Sequence, residues 1–236
     1  MSDRVVVLVQ ARAGSQRLPG KALRPLAGRP MLAHVLDRAR SLGYDVVLAT
    51  SVLDRDDGVA AVAAGCGIPV VRGSEWDVLG RMADAARLAR ADTVVRITGD
   101  CPLWAPDVGV RTLALYRETG GLGYVSNDTL VSGWPDGTDV EVFSASWLYL
   151  AAAQTREGRD WEYWQHDREH VTPWIRRHAP CLTLRSSEDW RAVKLSVDSS
   201  DDFARVQGVL SELNGGGQEW SATKQAYLRW REREAL

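Results

Sequence analysis

Twelve residues, Gln10-Ala11-Arg12-Ala13-Gly14-Ser15-Gln16-Arg17-Leu18-Pro19-Gly20-Lys21, bring three cations and two glycines together directly behind the apolar run Val5–Val9. Glycines let backbone N–H groups approach phosphate oxygens, and Arg12, Arg17 and Lys21 can add charge-assisted hydrogen bonds. A loop leaving the C-terminal end of a first parallel strand is also where open α/β sheets bind ligands. The chemistry is that of a triphosphate cradle. Two other phosphate loops fail on spacing: GxGxxG is absent, and Gly14 is separated from Gly20-Lys21 by five residues, with Ala22 where a Walker motif needs Ser or Thr. A solvated basic loop is the plainer alternative, but surface loops rarely combine this position with these residue types.

A second group, Arg96-Ile97-Thr98-Gly99-Asp100-Cys101-Pro102-Leu103, leaves a carboxylate where a strand runs into a turn. Mg2+ takes one or two carboxylates and completes its shell with phosphate oxygens and water, so Asp100 is a candidate ligand. Asp198, in Lys194-Leu195-Ser196-Val197-Asp198, is placed in the same way and is a candidate for the second, with a turn or helix cap as its alternative. Asp139 and Glu141 alternate with Val140 and Val142, so on a strand the carboxylates share one face, either for acceptor hydroxyls or simply solvated. Glu169 and His170 precede Thr172-Pro173 and either enter a pocket or cap locally. Trp161, Trp164 and Trp174 read as core or interface packing before they read as a wall for a ring-shaped acceptor.

Positioning such residues calls for alternating strands and helices around a mostly parallel sheet. Strands are expected at Val5–Val9, Val46–Ala49, Val70–Val71 and Thr93–Ile97. After Gly28, Pro30 suits a first helical position, followed by Met31, Leu32, Val35, Leu36, Ala39 and Leu42 on one face. Later strands are expected at Tyr124–Ser126, Val140–Phe143 and Val193–Val197, and helices at Trp147–Thr155 and His166–Arg177. Ser199 and Asp202 form a capping-box pattern that starts a helix running toward Leu213. The pattern predicts one domain over residues 1–214, its second half building the acceptor pocket. Gly215-Gly216-Gly217 would end the compact body and leave a charged helical tail over 215–236, from Trp220 to Leu236.

Composition narrows the partners. The 29 Lys+Arg are offset by 31 Asp+Glu, which argues against nucleic acid. Cys66, Cys101 and Cys181 lack metal or disulfide spacing and suit a reducing cytosol. The first apolar run is too short to span a membrane and lacks the flanks of a signal peptide, so the expected location is cytoplasmic, with no membrane partner.

The stretch QARAGSQRLPGKAL resembles the signature loop of the cytidylyltransferases that make CMP-activated acid sugars, the group of the CMP-Kdo and CMP-sialate synthetases. GSEWDVLGRM, VVRITGDCPLWAP, DGTDVEVF and REHVTPWI resemble the branch named for spore-coat polysaccharide biosynthesis, and the similarity runs over roughly residues 4 to 213. It implies an α/β glycosyltransferase-A-like (Rossmann-like) nucleotidyltransferase fold, CTP as cosubstrate, Mg2+ as cofactor, a small acidic sugar as acceptor and a homodimer. By position it implies Arg12, Ser15, Arg17 and Lys21 on the triphosphate and Asp100 and Asp198 on the metal. Backbone at Ala11, Ala13 and Gly14, with Ser74 and Asp77 in the segment Ser74–Arg81, would contact base and ribose. Trp76-Asp77 departs from the basic residue of the Kdo enzymes. In the implied reaction an acceptor carboxylate or anomeric hydroxyl attacks the α-phosphorus of CTP and pyrophosphate leaves. Transfer to a phosphate or phosphonate acceptor, or an idle nucleotide-sugar binding protein, are the competing readings.

Overall fold

Val5–Val9 are each no more than 5% exposed, alternate residues packing into different clusters on the two faces of one sheet. Such a strand must be covered on both sides, the condition that defines a central strand of an α/β sheet. The computed structural model describes residues 3–155 and 161–235. In chain order the first half comprises β1 (Val5–Gln10), β2 (Pro25–Leu26), β3 (Arg29–Pro30), α1 (Met31–Arg40), β4 (Asp45–Ser51), α2 (Asp57–Gly65), β5 (Val70–Gly73), α3 (Val78–Leu88) and β6 (Thr93–Thr98). The second comprises α4 (Pro106–Glu118), β7 (Tyr124–Ser126), β8 (Glu141–Ser144), α5 (Ala145–Gln154), α6 (Trp161–His170), α7 (Pro173–His178), β9 (Cys181–Thr183), α8 (Ser200–Leu213) and α9 (Trp220–Glu234).

The main sheet has the order β5-β4-β1-β6-β8-β7-β9, and only β8 runs against its neighbours. The mostly parallel α/β architecture expected from the sequence is therefore observed. Val5, Val7 and Val9 pack with Leu32, Val35 and Leu36 of α1, Val59 of α2 and Leu113 of α4. Val6 and Leu8 pack with Leu79 and Met82 of α3, Leu148 of α5 and Ile175 of α7. The chain winds outward from β1 to β4 and β5 and then returns to β6 on the other side, so the order reverses between β1 and β6. Gln10 and Thr98 are paired in register there. The next residue on β6's side is Gly99, whose N–H donates to Gln10 O at 2.8 Å. A Cβ on Gly99 would lie 2.6 Å from the Ala11 Cβ, so only glycine lets the two site-bearing loops leave side by side.

Several local expectations are corrected. Pro30 is the residue before α1, with extended ψ of 135°, because it closes a small hairpin with Pro25 around Ala27 and Gly28, both at positive φ. The helix expected over His166–Arg177 is two helices: Val171 has φ of 73° and Pro173 starts α7. Val193–Val197 is not a sheet strand. It makes one bridge, Lys194 with Asp136, and buries Val193, Leu195 and Val197 against Val206 and Val209 of α8. The Gly215–Gly217 run is a turn rather than the end of the packed body: α9 folds back on α8 with Thr223 and Ala226 fully buried. Leu236 and the side chain of Trp161 lie outside what is described.

Candidate active site

The loop after β1 is built on internal hydrogen bonds. Ala13 O accepts from Ser15 N at 2.9 Å and Gly20 N at 3.0 Å, and Ser15 Oγ accepts from Leu18 N at 3.3 Å. Leu18 is buried and anchors the far side. The N–H groups of Ala11 and Ala13 are engaged, donating to Ala49 O and to Asp56 Oδ1 at 2.6 Å. Asp56, fully buried and also bonded to Ser51, fixes the loop's position and has no motif to announce it. The N–H groups of Arg12, Gly14, Gln16 and Arg17 make no hydrogen bond to a described residue, which leaves them as donors for an anion.

Lys21 gathers the two candidate metal carboxylates. Its Nζ donates to Asp100 Oδ2 at 3.0 Å, Asp198 Oδ1 at 3.1 Å and Val197 O at 2.6 Å. Arg17 reaches the same Asp198 oxygen at 3.0 Å, and Lys194 takes the other at 3.0 Å. The cap alternative for Asp198 is settled by its neighbours: Ser199 caps α8, and Asp202 returns the hydrogen bond. Partial burial works to raise the Asp198 pKa, but Lys194 and Lys21 outweigh it and hold the carboxyl below its ordinary value. Because one ammonium touches both, Asp100 and Asp198 converge on a single point. Two converging carboxylates with an adjacent phosphate loop fit Mg2+, which draws its remaining ligands from phosphate and water. Among the described residues no group of three or more His, Cys, Asp or Glu forms a closed metal cage.

Beside this point lies a cavity of about 330 Å3, lined by Arg96, Asp139, Glu141, His170 and Arg176 among others. The shared solvated face expected for Asp139 and Glu141 is not what forms. Glu141 is 5% exposed and pairs with Arg96, while Tyr124 Oη and Thr172 Oγ1 donate to its other oxygen at 2.5 and 2.7 Å. Burial tends to raise its pKa, yet Arg96 prevails and holds the carboxyl below the usual range. With both oxygens engaged, Glu141 positions Arg96 and the bend at Thr172. Asp139 precedes β8 and, among the described residues, accepts only from Gly137 N at 3.2 Å; burial, then Asp128 and Asp136, push its carboxyl well up. The raised pKa favours the protonated form, which donates a hydrogen bond.

Glu169 does not line the cavity. It binds Arg12 at 3.0 Å, tying the loop after β1 to α6, while His170 faces inward with its ring 4.6 Å from that of His166. Burial, then His166, lower the His170 pKa. Asp77 caps α3 through Gly80 N at 2.7 Å and pairs with Arg168; Ser74 Oγ accepts from Asp77 N at 3.3 Å. Asp77 thus has both oxygens occupied by structural partners. Arg96, Arg176 and Lys194 were missed by sequence reasoning. Arg96 was detectable, since a charged residue inside the buried run Thr93–Thr98 needs a partner.

The profile of the cytidylyltransferase family matches residues 6–203. The spore coat polysaccharide biosynthesis protein SpsF of Bacillus subtilis is 31% identical over 225 residues, 90% of this chain and 88% of that protein. A 3-deoxy-manno-octulosonate cytidylyltransferase of Anaeromyxobacter sp. is 42% identical over 120 residues, 50% of this chain and 48% of that enzyme. A solved cytidylyltransferase from Leptospira borgpetersenii superposes with a TM-score of 0.84 at 26% identity, covering 98% of this chain and 93% of the other.

Proposed function

The chain belongs to the cytidylyltransferase family, and from that premise we propose that it transfers CMP from CTP to a small acidic sugar, with release of pyrophosphate. The observation that carries the reading is the meeting of Lys21, Asp100 and Asp198 at the mouth of the first loop, next to a cavity with two guanidinium groups in its wall. An oxygen of the acceptor attacks the α-phosphorus, the bond from that phosphorus to the β-phosphate oxygen breaks, and pyrophosphate departs in line. Catalysis of this kind rests on positioning and charge stabilisation, and no protein nucleophile is needed.

Arg12, Arg17 and Lys21, with the free N–H groups of Gly14 and Gln16, hold the triphosphate, and Ser15 shapes the turn that presents them. Asp100 and Asp198 would hold Mg2+, which when bound supplies charge neutralisation at the phosphates. In the cavity Arg176 and Arg96 face the acceptor's acidic group, while Asp139 and His170 meet its hydroxyls. The same cations would accept a phosphate or phosphonate, so the acceptor decides between those classes. A homodimer working in the cytoplasm is part of this proposal; no helix among the described residues is long and apolar enough to cross a membrane. The test is a pyrophosphate-release screen of four nucleoside triphosphates against acid sugars, sugar phosphates and phosphonates. Release with CTP and an acid sugar supports the reading, and release only with phosphorylated acceptors replaces the acceptor class.

A further inference from the structure

We propose that His166 and His170 form a second metal site, which takes a first-row transition-metal dication such as Ni2+, Cu2+ or Zn2+ through two imidazoles and, when filled, closes the acceptor cavity. The metal binding stands on the geometry alone, whereas the closing of the cavity rests on the acceptor reading above.

The two histidines are four residues apart on α6, so their side chains lie one above the other on a single face of the helix. Their ring centroids are 4.6 Å apart, the ring planes are inclined by 48°, and both rings line the cavity. Bonds of about 2.0–2.1 Å to a tetrahedral dication would set two such centroids about 5 Å apart, a small rotation from the observed spacing. The other two histidines, His34 and His178, each donate a ring N–H to a nearby carbonyl, of Leu26 and of Trp174, at 2.7 Å. His166 and His170 make no side-chain hydrogen bond to a described residue. Packing accounts for two rings in contact, but not for two imidazoles turned into a cavity with their nitrogens unpaired.

The same cavity has room for positive charge. Arg96 is taken up by Glu141, and Arg176 stands 3.8 Å from Asp128. Asp139 accepts only from Gly137 N and has no ion pair to a described residue, so a dication held by the imidazoles would supply the counter-charge that its ionised form lacks. Imidazole suits Ni2+, Cu2+ and Zn2+, whereas Mg2+ keeps to oxygen, so ligand chemistry separates this site from Asp100 and Asp198. Among the described residues no third His, Cys, Asp or Glu completes a cage, and neither ring has the outer hydrogen-bond partner that fixes a resident metal's histidine. The ion is therefore held reversibly, with water in its open positions. It lies where His170 would meet the acceptor's hydroxyls, and so competes with the acceptor rather than with CTP.

The test is titration calorimetry with Ni2+ on the untagged chain at about pH 8, where imidazoles are mostly neutral, in excess Mg2+ to fill the carboxylate pair. The wild type is expected to bind one Ni2+ per chain, and His166→Ala and His170→Ala should each weaken binding by at least about tenfold. Cys181→Ser, which removes the exposed thiol, should leave it unchanged. Binding retained in both histidine variants, or lost in Cys181→Ser, would overturn the site. In pyrophosphate release, Ni2+ at about ten times its dissociation constant should raise the apparent KM for the acceptor about tenfold, leave that for CTP alone, and have no such effect on His166→Ala. Ni2+ bound with no change in the acceptor KM would overturn the closing of the cavity. A chain that binds Ni2+ through the two histidines but releases no pyrophosphate with any acceptor supports the metal site and overturns the transfer reading instead.

Discussion

The two ends of the site hold their carboxylates in opposite ways. Around Lys21 each carboxylate meets an ammonium or guanidinium, and Asp198 is kept ionised. In the cavity Asp128 and Asp139, and beside them Asp136, are pushed toward the protonated form, first by burial and with added repulsion from neighbouring carboxylates. Glu141, two residues from Asp139, goes the other way because Arg96 lies against it. Residue type alone therefore does not fix the role. A convergent pair held by cations suits a divalent cation and phosphate, whereas a buried carboxyl with few partners suits hydroxyl groups.

The largest effect expected from this contrast is at the metal pair. Asp100→Asn keeps the volume and removes a charge, so pyrophosphate release should fall by at least about 100-fold with the melting temperature little changed. Release near the wild-type rate would break the assignment.

Next in size is the ion pair beneath the cavity. Glu141→Gln leaves Arg96 buried without its counter-ion and should cost on the order of 3–5 kcal/mol of stability, read from denaturant unfolding. Its pH dependence should oppose that of Asp139→Asn. The Glu141 pKa is lowered on folding, so the stability it contributes is present above the unfolded pKa and is lost as pH falls; the deficit of Glu141→Gln should shrink on acidification. The Asp139 pKa is raised on folding, so wild-type stability is fullest at acid pH and declines as pH rises toward the folded pKa. Asp139→Asn escapes that decline and should gain on the wild type as pH rises above the ordinary carboxylate range. Parallel trends for the two variants would erase the distinction.

A smaller change is expected for Lys21→Ala, which should weaken CTP binding by about 1.5–3 kcal/mol and CMP binding by clearly less. Equal losses in calorimetry would mean that Lys21 does not touch the departing phosphates. The smallest is Ser199→Ala, which removes the α8 cap at a cost of about 1 kcal/mol. Turnover should survive it, since Asp198 is held by Lys21, Lys194 and Arg17 rather than by the cap. Joint loss of stability and turnover would tie the metal pair to the helix start.

Where the sequence was informative, local pattern and tertiary outcome had one cause. Val5–Val9 had to be a buried strand, and the loop behind it had to open at the strand's C-terminal end, so Arg12, Arg17, Lys21 and Asp100 could be gathered from their positions alone. Val193–Val197 shows the limit: its alternation correctly marks which residues are buried, but not that α8 rather than a neighbouring strand covers them. Asp139 and Glu141 show a second limit. Period-2 spacing says which way a side chain points, whereas ionisation depends on partners far away in sequence, here Arg96 and Thr172. Val171 could not be foreseen as a break, because a β-branched residue rarely adopts positive φ and Pro173 alone also permits a kinked helix.

Strand β8 has a mechanical consequence. Its register with β6 runs from Thr93↔Ser144 to Arg96↔Glu141, and on its other edge it pairs with β7 from Tyr124↔Phe143 to Ser126↔Glu141. The loop after β1 and the cavity lined by Arg96 and Glu141 are thus carried by one continuous hydrogen-bonded sheet, without the linker that a domain hinge requires. In the proposed transfer, the alignment of the attacking oxygen with the scissile phosphorus would be set by this one frame, and adjustment would fall to side chains and loops at the rim.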